Sequence, residues 1–120
     1  MISQLPPSNF AAWRDSALEA VLGALPVVLD VRESWELQTA TVRPDGFTLI
    51  HIPMNELPAR VAELQATPGV NHPIACLCHH GVRSQRVANY LVQCGFTEVV
   101  NLQGGIDAWS HQIDPSVPVY

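Results

Sequence analysis

Short apolar runs that alternate with helical segments constrain the fold of this chain more than any other feature. Four runs are predicted to be strands, over residues 27–31, 47–52, 74–78 and 98–102. Residues 27–31 and 74–78 are apolar at nearly every position, which is typical of parallel strands that are covered on both faces. This alternation predicts an α/β fold, a three-layer α/β/α sandwich around a mostly parallel sheet of four to five strands.

Helices are predicted between these strands from the spacing of apolar residues. The first is expected to be capped by Ser8 and Asn9, with Phe10, Trp13, Ala17 and Val21 on one face, and to end before Gly23. The others are predicted over residues 34–38, 55–66 (capped by Asn55), 84–93 and 104–109. The proline-containing tail, residues 114–120, is expected to pack irregularly.

Length and charge limit the classes of function. A chain of 120 residues with 48% hydrophobic and 14% charged residues is expected to form a single domain over residues 1–120, and a monomer is the expectation for this size. The net charge is −5 and all six basic residues are arginine, which argues against binding to nucleic acid or to a membrane. No secretory leader pattern or apolar run of about 20 residues is present in the sequence. Three cysteines, an odd number, predict a reducing, cytoplasmic location.

A cysteine ends the predicted strand 74–78 and is followed by a short loop and a helix. The segment reads Cys78-His79-His80-Gly81-Val82-Arg83-Ser84. Loop N–H groups and the positive end of the helix dipole are expected to surround the sulfur, a setting that stabilises a thiolate and attracts an anion. Gly81 permits the backbone angles of such a loop, and Ser84 is expected to cap the helix and to offer its hydroxyl to the site.

Cys78 also has a simpler interpretation, as a small buried apolar residue at a strand end. The glycine, the arginine and the helix start within six residues favour a reactive cysteine. Cys76, which lies inside the strand, and Cys94, which precedes Gly95, are expected to be packing residues.

Four segments within residues 27–109 form a recognisable set. They are the loop at residues 78–84, Leu29-Asp30-Val31-Arg32-Glu33 followed by Trp35-Glu36, Ile50-His51-Ile52-Pro53-Met54-Asn55, and Val100-Asn101-Leu102-Gln103-Gly104-Gly105-Ile106-Asp107-Ala108-Trp109. Together they resemble the rhodanese family of sulfurtransferases, whose active-site loop reads Cys-x-x-Gly-x-Arg-Ser. The chain departs from the family pattern at the glycine that usually precedes His-Ile, at the Gly-Ala that usually follows it, and at the loop lysine of some relatives.

The resemblance implies a sulfurtransferase with Cys78 as the nucleophile that carries a persulfide. It implies that the N–H groups of residues 79–84, hence of His79, His80, Gly81, Val82, Arg83 and Ser84, cradle the persulfide. It also implies that Arg83 binds the anionic donor, and that Arg32 supports the loop or the donor. The expected partners are a small sulfur donor such as thiosulfate, an acceptor such as cyanide or a thiol, and a sulfur-carrier protein by analogy with sulfur-carrier-activating enzymes. No cofactor and no metal are expected.

The two histidines of the loop have two possible roles. His79 and His80 are expected to be exposed side chains that bind an anion when protonated, and the alternative is that one of them is a general base. Trp35 is the tryptophan expected beside the pocket.

Three other functions are alternatives to sulfur transfer. A cysteine-dependent phosphatase has five residues between its cysteine and arginine, whereas four separate Cys78 from Arg83 here. A metal site from Cys76, Cys78, His79 and His80 has the right residue types but poor chelating geometry. A non-catalytic module of the same fold would typically lack the cysteine.

Overall fold

The computed structural model describes residues 2–20 and 23–120. Within these residues the helices are α1 (Phe10–Ala20), α2 (Ser34–Thr39), α3 (Leu57–Leu64), α4 (Val82–Gln93) and α5 (Gly105–Gln112). The strands are β1 (Ser3–Leu5), β2 (Val27–Asp30), β3 (Thr48–His51), β4 (Ile74–Leu77) and β5 (Val99–Leu102). Strands and helices therefore alternate along most of the chain, as the sequence predicts.

The strands of the described residues form one parallel sheet in the order β1-β5-β4-β2-β3. The predicted fold class is confirmed, and the sheet is entirely parallel. Strand β1 is an addition to the four strands predicted from the sequence. Its three residues pair with β5, with Gln4 opposite Asn101, and they are too few to produce a periodic signal.

Alternating side chains of each strand supply two separate cores, one on each face of the sheet. On β4, Ile74 and Cys76 enter the core beneath α3 and α4, whereas Ala75 and Leu77 enter the core beneath α1 and α5. A strand covered on both faces must be apolar at consecutive positions, which explains the uninterrupted runs in the sequence. On β5, Val99 belongs to the first core, so Asn101, two positions later, points to the side of α4.

Several predicted helix boundaries differ from the structure. The turn Pro7–Asn9 runs directly into α1, so Ser8 and Asn9 lie inside a 3-10 turn and not at a helix cap. Another 3-10 turn, Met54–Glu56, precedes α3 and contains the predicted cap Asn55. Helix α4 begins two residues earlier than predicted, and α5 extends three residues further. The predicted position of Val21 on α1 lies outside the described residues.

The carboxyl ends of the parallel strands meet at one edge of the sheet, and the connecting loops gather there. Val31 follows β2 and donates its N–H to Leu77 O, while Met54 follows β3 and donates to Val31 O. Cys78 lies at the same edge, directly after β4, where ligands of open α/β sheets bind. Among the helices of the described residues, none is long and apolar enough to cross a membrane.

Candidate active site

The sulfur of Cys78 lies at the centre of the loop between β4 and α4. Its side chain is only 1% exposed. The Gly81 N–H donates to Sγ at 3.0 Å, and the Ser84 hydroxyl lies 3.2 Å from the same sulfur. Because the N–H group is a donor and the hydroxyl is able to donate, the loop provides a polar environment that suits a negatively charged sulfur.

The loop keeps its shape because its carbonyl groups are bound from outside. Cys78 O accepts from the Ile106 N–H at 2.9 Å, and His79 O accepts from the Asp107 N–H at 3.1 Å. These donors belong to the first turn of α5, where N–H groups have no acceptor within the helix. Gly81 has a φ of +102°, the left-handed conformation that turns its N–H toward the sulfur and favours glycine.

Ser84 lies inside α4 and does not cap the helix. The residue at the helix N-cap is Gly81, which has no side chain to act as a cap. The expected capping role of Ser84 is therefore wrong, because the helix begins at Val82 and Ser84 occupies its third position. The expected contact of its hydroxyl with the site agrees with the distance to Cys78 Sγ.

Arg83 forms a two-point ion pair with Glu36 of α2. The two terminal nitrogens of the guanidinium lie 2.6 and 2.9 Å from the carboxylate oxygens, and the Tyr120 hydroxyl donates to Oε2 at 2.6 Å. The hydrogen bond from Arg83 lowers the pKa of Glu36 from 4.5 to about 2, and the Tyr120 hydroxyl acts in the same direction against burial. Glu36 in turn raises the pKa of Arg83. The carboxylate thus ties α2 to the start of α4.

Tyr120 and the two loop histidines form a stack of rings at the edge of the loop. The His79 ring is nearly parallel to the Tyr120 ring, with centroids 3.9 Å apart, and the His80 ring lies 3.9 Å from His79 on centroids. His79 Nε2 is 2.7 Å from the main-chain oxygen of Tyr120. Burial, and then its bond to Glu36, raises the pKa of the Tyr120 phenol to about 12. His79 is half-buried and His80 is exposed, so the expectation that both are exposed is wrong for His79.

Arg32 is fully buried, and its guanidinium is bound by groups of the protein. It pairs with Asp30 at 2.7 Å, and both side chains are 0% exposed. The same guanidinium donates to Ala40 O, Glu36 O and the Tyr120 hydroxyl. These contacts fit the expectation that Arg32 supports the site. Burial argues against the other expectation, direct contact with a donor, because no face of the guanidinium is open to a ligand.

The remaining predicted residues lie in the core or at the surface. Cys76 is fully buried in the core, and burial raises the pKa of its thiol. Cys94 packs, half-buried, against the same core, as expected. Val82 is 65% exposed beside the loop. Trp35 is 61% exposed and forms a T-shaped pair with the Tyr120 ring, with centroids 6.3 Å apart, so it lies at the rim of the site.

Four residues at or behind the loop were not identified from the sequence as parts of the site. They are Gln4, Glu36, Asn101 and Tyr120. Asn101 had a detectable signal, since it is the polar residue of an otherwise apolar strand, Val99–Leu102. The other three depend on contacts between segments that are more than 40 residues apart in the chain.

One group of side chains near the loop has metal-binding residue types. Among the described residues, ligand atoms of His79, His80 and Asp107 lie within 4.8 Å of one another. Of the four residues named in the sequence analysis as a possible metal site, this group contains only His79 and His80. None of its members is buried. Such a surface group is common without a metal, and we assign no metal or cofactor to it.

We expect the Glu36–Arg83 pair to make stability depend on pH below about 4.5. The pKa of Glu36 is about 2 in the folded protein and 4.5 as a reference. The stabilisation is therefore fully present above pH 4.5 and is lost as the pH falls toward 2. The loss is at most about 3 kcal/mol. Urea unfolding of the wild type and of Glu36→Gln, measured from pH 7 to pH 2, should give a smaller decline in the variant.

A surface carboxylate provides the matched control for this measurement. Glu63 is 59% exposed and pairs with Arg60 at 3.0 Å. Because exposed pairs contribute about 0–1 kcal/mol, Glu63→Gln should follow the wild-type curve closely. Parallel curves for the wild type and Glu36→Gln would contradict the prediction.

Comparison with known proteins identifies the family of this chain. The protein-family model named rhodanese-like domain matches residues 14–112. An adenylyltransferase and sulfurtransferase, MOCS3-1 of Zea mays, is 32% identical over 99% of this chain, which spans 25% of that protein. The thiosulfate sulfurtransferase GlpE of Stutzerimonas stutzeri is 31% identical over 90% of this chain and 84% of its own length.

Solved structures agree with the fold. The crystal structure of a rhodanese-related protein from Thermoplasma volcanium superposes with a TM-score of 0.73 and 26% identity, over 98% of this chain and 99% of that one. The chain spans about a quarter of the plant relatives it matches but most of the bacterial one. With a family model that matches most of its length, this chain belongs to the rhodanese-like domain family.

Proposed function

We propose that this chain is a sulfurtransferase that moves a sulfane sulfur through a persulfide on Cys78. The donor is a compound such as thiosulfate, and the acceptor is cyanide, a thiol or a sulfur-carrier protein. The proposal treats residues 1–120 as one domain. It is supported by the family, whose bacterial member GlpE is named a thiosulfate sulfurtransferase.

The observation that carries the proposal is the polar environment of Cys78 Sγ, which contains one N–H donor and one hydroxyl. The Gly81 N–H and the Ser84 hydroxyl lie 3.0 and 3.2 Å from the sulfur, at the N-terminus of the 12-residue helix α4. The N–H donor and the helix dipole stabilise a thiolate, which is the nucleophilic form of cysteine. Cys76, which is fully buried in the apolar core, has no such environment.

Two displacement steps transfer the sulfur. The Cys78 thiolate attacks the outer sulfur of thiosulfate, a new S–S bond forms, and the old S–S bond breaks with its electron pair leaving on sulfite. The acceptor nucleophile then attacks the outer sulfur of the persulfide, and Cys78 leaves as a thiolate. No external oxidant or reductant is needed, because the transferred sulfur carries its oxidation state with it.

The loop residues have separate roles in this proposal. The N–H groups of residues 79–84 face the persulfide, and those at the start of α4 have no acceptor within the helix. Arg83 is held by Glu36 but remains 30% exposed, so an anionic donor can still contact it. His79 and His80 form the side of the mouth next to Tyr120, where they add positive charge when protonated.

The proposed partners and location follow from the same chemistry. A small donor and a small acceptor are the minimum, and a sulfur-carrier protein is the third proposed partner. The maize relative is named an adenylyltransferase and sulfurtransferase. The net charge of −5 disfavours nucleic acid and acidic membranes as partners. All three cysteines are free, which suits the reducing environment of the cytoplasm. A monomer is sufficient for this chemistry.

Mass spectrometry of the intact protein after incubation with thiosulfate tests the proposal. We expect a gain of one sulfur atom on the wild type, reversed by cyanide with formation of thiocyanate. Cys78→Ser should show no gain and no turnover, because the nucleophile is missing. Cys94→Ser is the matched control and should behave as the wild type, since Cys94 lies at the far end of α4.

Three results would reject the proposal. One is the absence of a sulfur adduct on a folded wild-type protein with thiosulfate and with a low-molecular-weight persulfide. Another is an equal adduct on Cys78→Ser. The third is hydrolysis of para-nitrophenyl phosphate without any sulfur transfer, which would favour the phosphatase alternative. A folded protein that is inactive toward all these compounds would favour the non-catalytic module.

A further inference from the structure

The Ser84 hydroxyl lies between two acceptors and has only one proton to donate. Its oxygen is 3.2 Å from Cys78 Sγ and 2.6 Å from Asn101 Oδ1. Ser84 is 0% exposed and Asn101 is 2% exposed, so water does not compete freely for these bonds. Because a hydroxyl donates one hydrogen bond, Ser84 can donate to the sulfur or to Asn101, but not fully to both.

The orientation of the Asn101 amide determines which of the two acceptors receives the hydrogen bond from Ser84. Its Nδ2 lies 2.9 Å from Gln4 Oε1 and 3.1 Å from Gly81 O. A main-chain carbonyl can only accept, so the amide nitrogen must face Gly81 and the amide oxygen must face Ser84. At 2.6 Å, two oxygens need a proton between them, and Asn101 Oδ1 has none to offer. In this arrangement the Ser84 proton therefore points toward Asn101.

We propose that Asn101 is a positioning residue that draws the Ser84 proton away from Cys78 and thereby favours the thiol and the persulfide over the free thiolate. The proposal rests on the sulfurtransferase function proposed above. In the thiol, the S–H group donates to Ser84 Oγ and Ser84 donates to Asn101. In the persulfide, Sγ is bonded to carbon and to the outer sulfur and carries no charge, so Ser84 keeps the same bond.

Only the thiolate requires a different arrangement. An anionic Sγ faces a lone pair of Ser84 unless the hydroxyl rotates to donate to sulfur, and that rotation leaves Asn101 Oδ1 facing an oxygen without a proton. Both choices have a cost that the thiol and the persulfide avoid. The proton stays on Ser84 throughout, and only the direction of its O–H bond changes. The result is a thiolate that is less stabilised, and therefore a better nucleophile, than Ser84 alone would make it.

Other charged or titratable groups also influence the sulfur. They are Arg83 on α4, Cys76 on β4, His79 and His80 in the loop, and Glu36 and Tyr120, which contact Arg83 or the loop from the other side. None of them changes between the proteins compared below, so their influence cancels in the comparison.

The test is the pH dependence of the thiolate in Asn101→Leu. Leucine has nearly the shape of asparagine but cannot accept a hydrogen bond, so Ser84 becomes free to donate to Sγ. The ultraviolet absorbance of the thiolate, taken as the difference from the same protein with Cys78→Ser, reports Cys78 alone. We expect the midpoint to move to lower pH by about one unit, which is roughly a tenfold higher thiolate fraction below the midpoint.

A cycle with Ser84→Ala shows whether Asn101 acts through the hydroxyl. In the Ser84→Ala protein, Asn101→Leu should produce no shift, because no proton remains to be redirected. Gln4→Ala is a second control that removes a partner of Asn101 and leaves Oδ1 and Ser84 in place, and it should leave the midpoint unchanged. If Asn101→Leu does not fold, Asn101→Ala removes the same acceptor and carries the same expectation.

Three outcomes would overturn the proposal. They are an unchanged midpoint in a folded Asn101→Leu or Asn101→Ala, a shift to higher pH, and an equal shift with and without Ser84. The titration needs no sulfur donor, so it gives its answer even if thiosulfate fails to load Cys78. Failure of the proposed function and failure of this inference are therefore distinguishable.

Discussion

Replacing Gly105 by alanine is expected to abolish persulfide formation on Cys78 and to destabilise the protein by roughly 2–4 kcal/mol. Gly105 has a φ of +60°, and a Cβ there would lie 2.5 Å from Cys78 O and equally against His79 O. These are backbone atoms that cannot rotate aside as a flexible side chain does. The two N–H groups of α5 that bind these carbonyls would have to withdraw, and the loop would lose the contacts that keep its carbonyls turned outward.

Urea unfolding and the thiosulfate mass shift measure the two parts of this expectation. Gly95→Ala is the matched control, because Gly95 has a φ of +97° but no atom within 4 Å of an added Cβ. It should carry only the cost of the left-handed conformation, about 1–2 kcal/mol, and should still load sulfur. Equal loading by Gly105→Ala and Gly95→Ala would show that the packing of α5 against the loop is not needed.

Replacing Arg32 by leucine is expected to reduce the free energy of unfolding by about 3–5 kcal/mol. The substitution leaves Asp30 as a buried carboxylate without its guanidinium, and it removes the bonds to Glu36 O, Ala40 O and the Tyr120 hydroxyl. Such a loss is a large part of the 5–15 kcal/mol that is typical of folded domains. Urea unfolding near neutral pH measures it.

Two further variants identify the cause. Asp30→Asn combined with Arg32→Leu should recover part of the loss, since no unpaired charge remains buried. Arg60→Leu removes an arginine from an exposed pair with Glu56 and Glu63 and should cost no more than about 1 kcal/mol. A rise in KM for thiosulfate with unchanged stability in Arg32→Leu would contradict the structural role and would restore Arg32 as a ligand of the donor.

Local sequence patterns were sufficient for most of the fold. Consecutive apolar residues in 27–31 and 74–78 predicted buried parallel strands, because a strand covered on both faces needs apolar side chains at odd and even positions. The strand end at Cys78 and the glycine and arginine after it predicted a loop that points donors at a sulfur. These features depend on neighbours within a few residues, so a single sequence can report them.

Helix boundaries and the short strand β1 were harder to predict. Helix α4 starts at Val82 because Gly81 adopts a positive φ that permits the turn. Ser84 therefore lies in the first turn of the helix and not at the predicted cap. Strand β1 exists because the free edge of β5 offers it hydrogen-bond partners. Neither the angle of one glycine nor the free edge of a distant strand can be determined from the periodicity of the segment itself.

What the sequence determined by itself is the fold class, the place of Cys78 at a strand end, and the family. Only the tertiary structure decided which polar groups meet around that sulfur. Glu36 is joined to Arg83 across 47 positions, Tyr120 to Glu36 across 84, and Gln4 to Asn101 across 97. Apolar patterns specify which face of an element is buried, but a hydrogen bond forms only when two side chains from different elements meet at about 3 Å. That alignment is a property of the packed layers and not of any one segment.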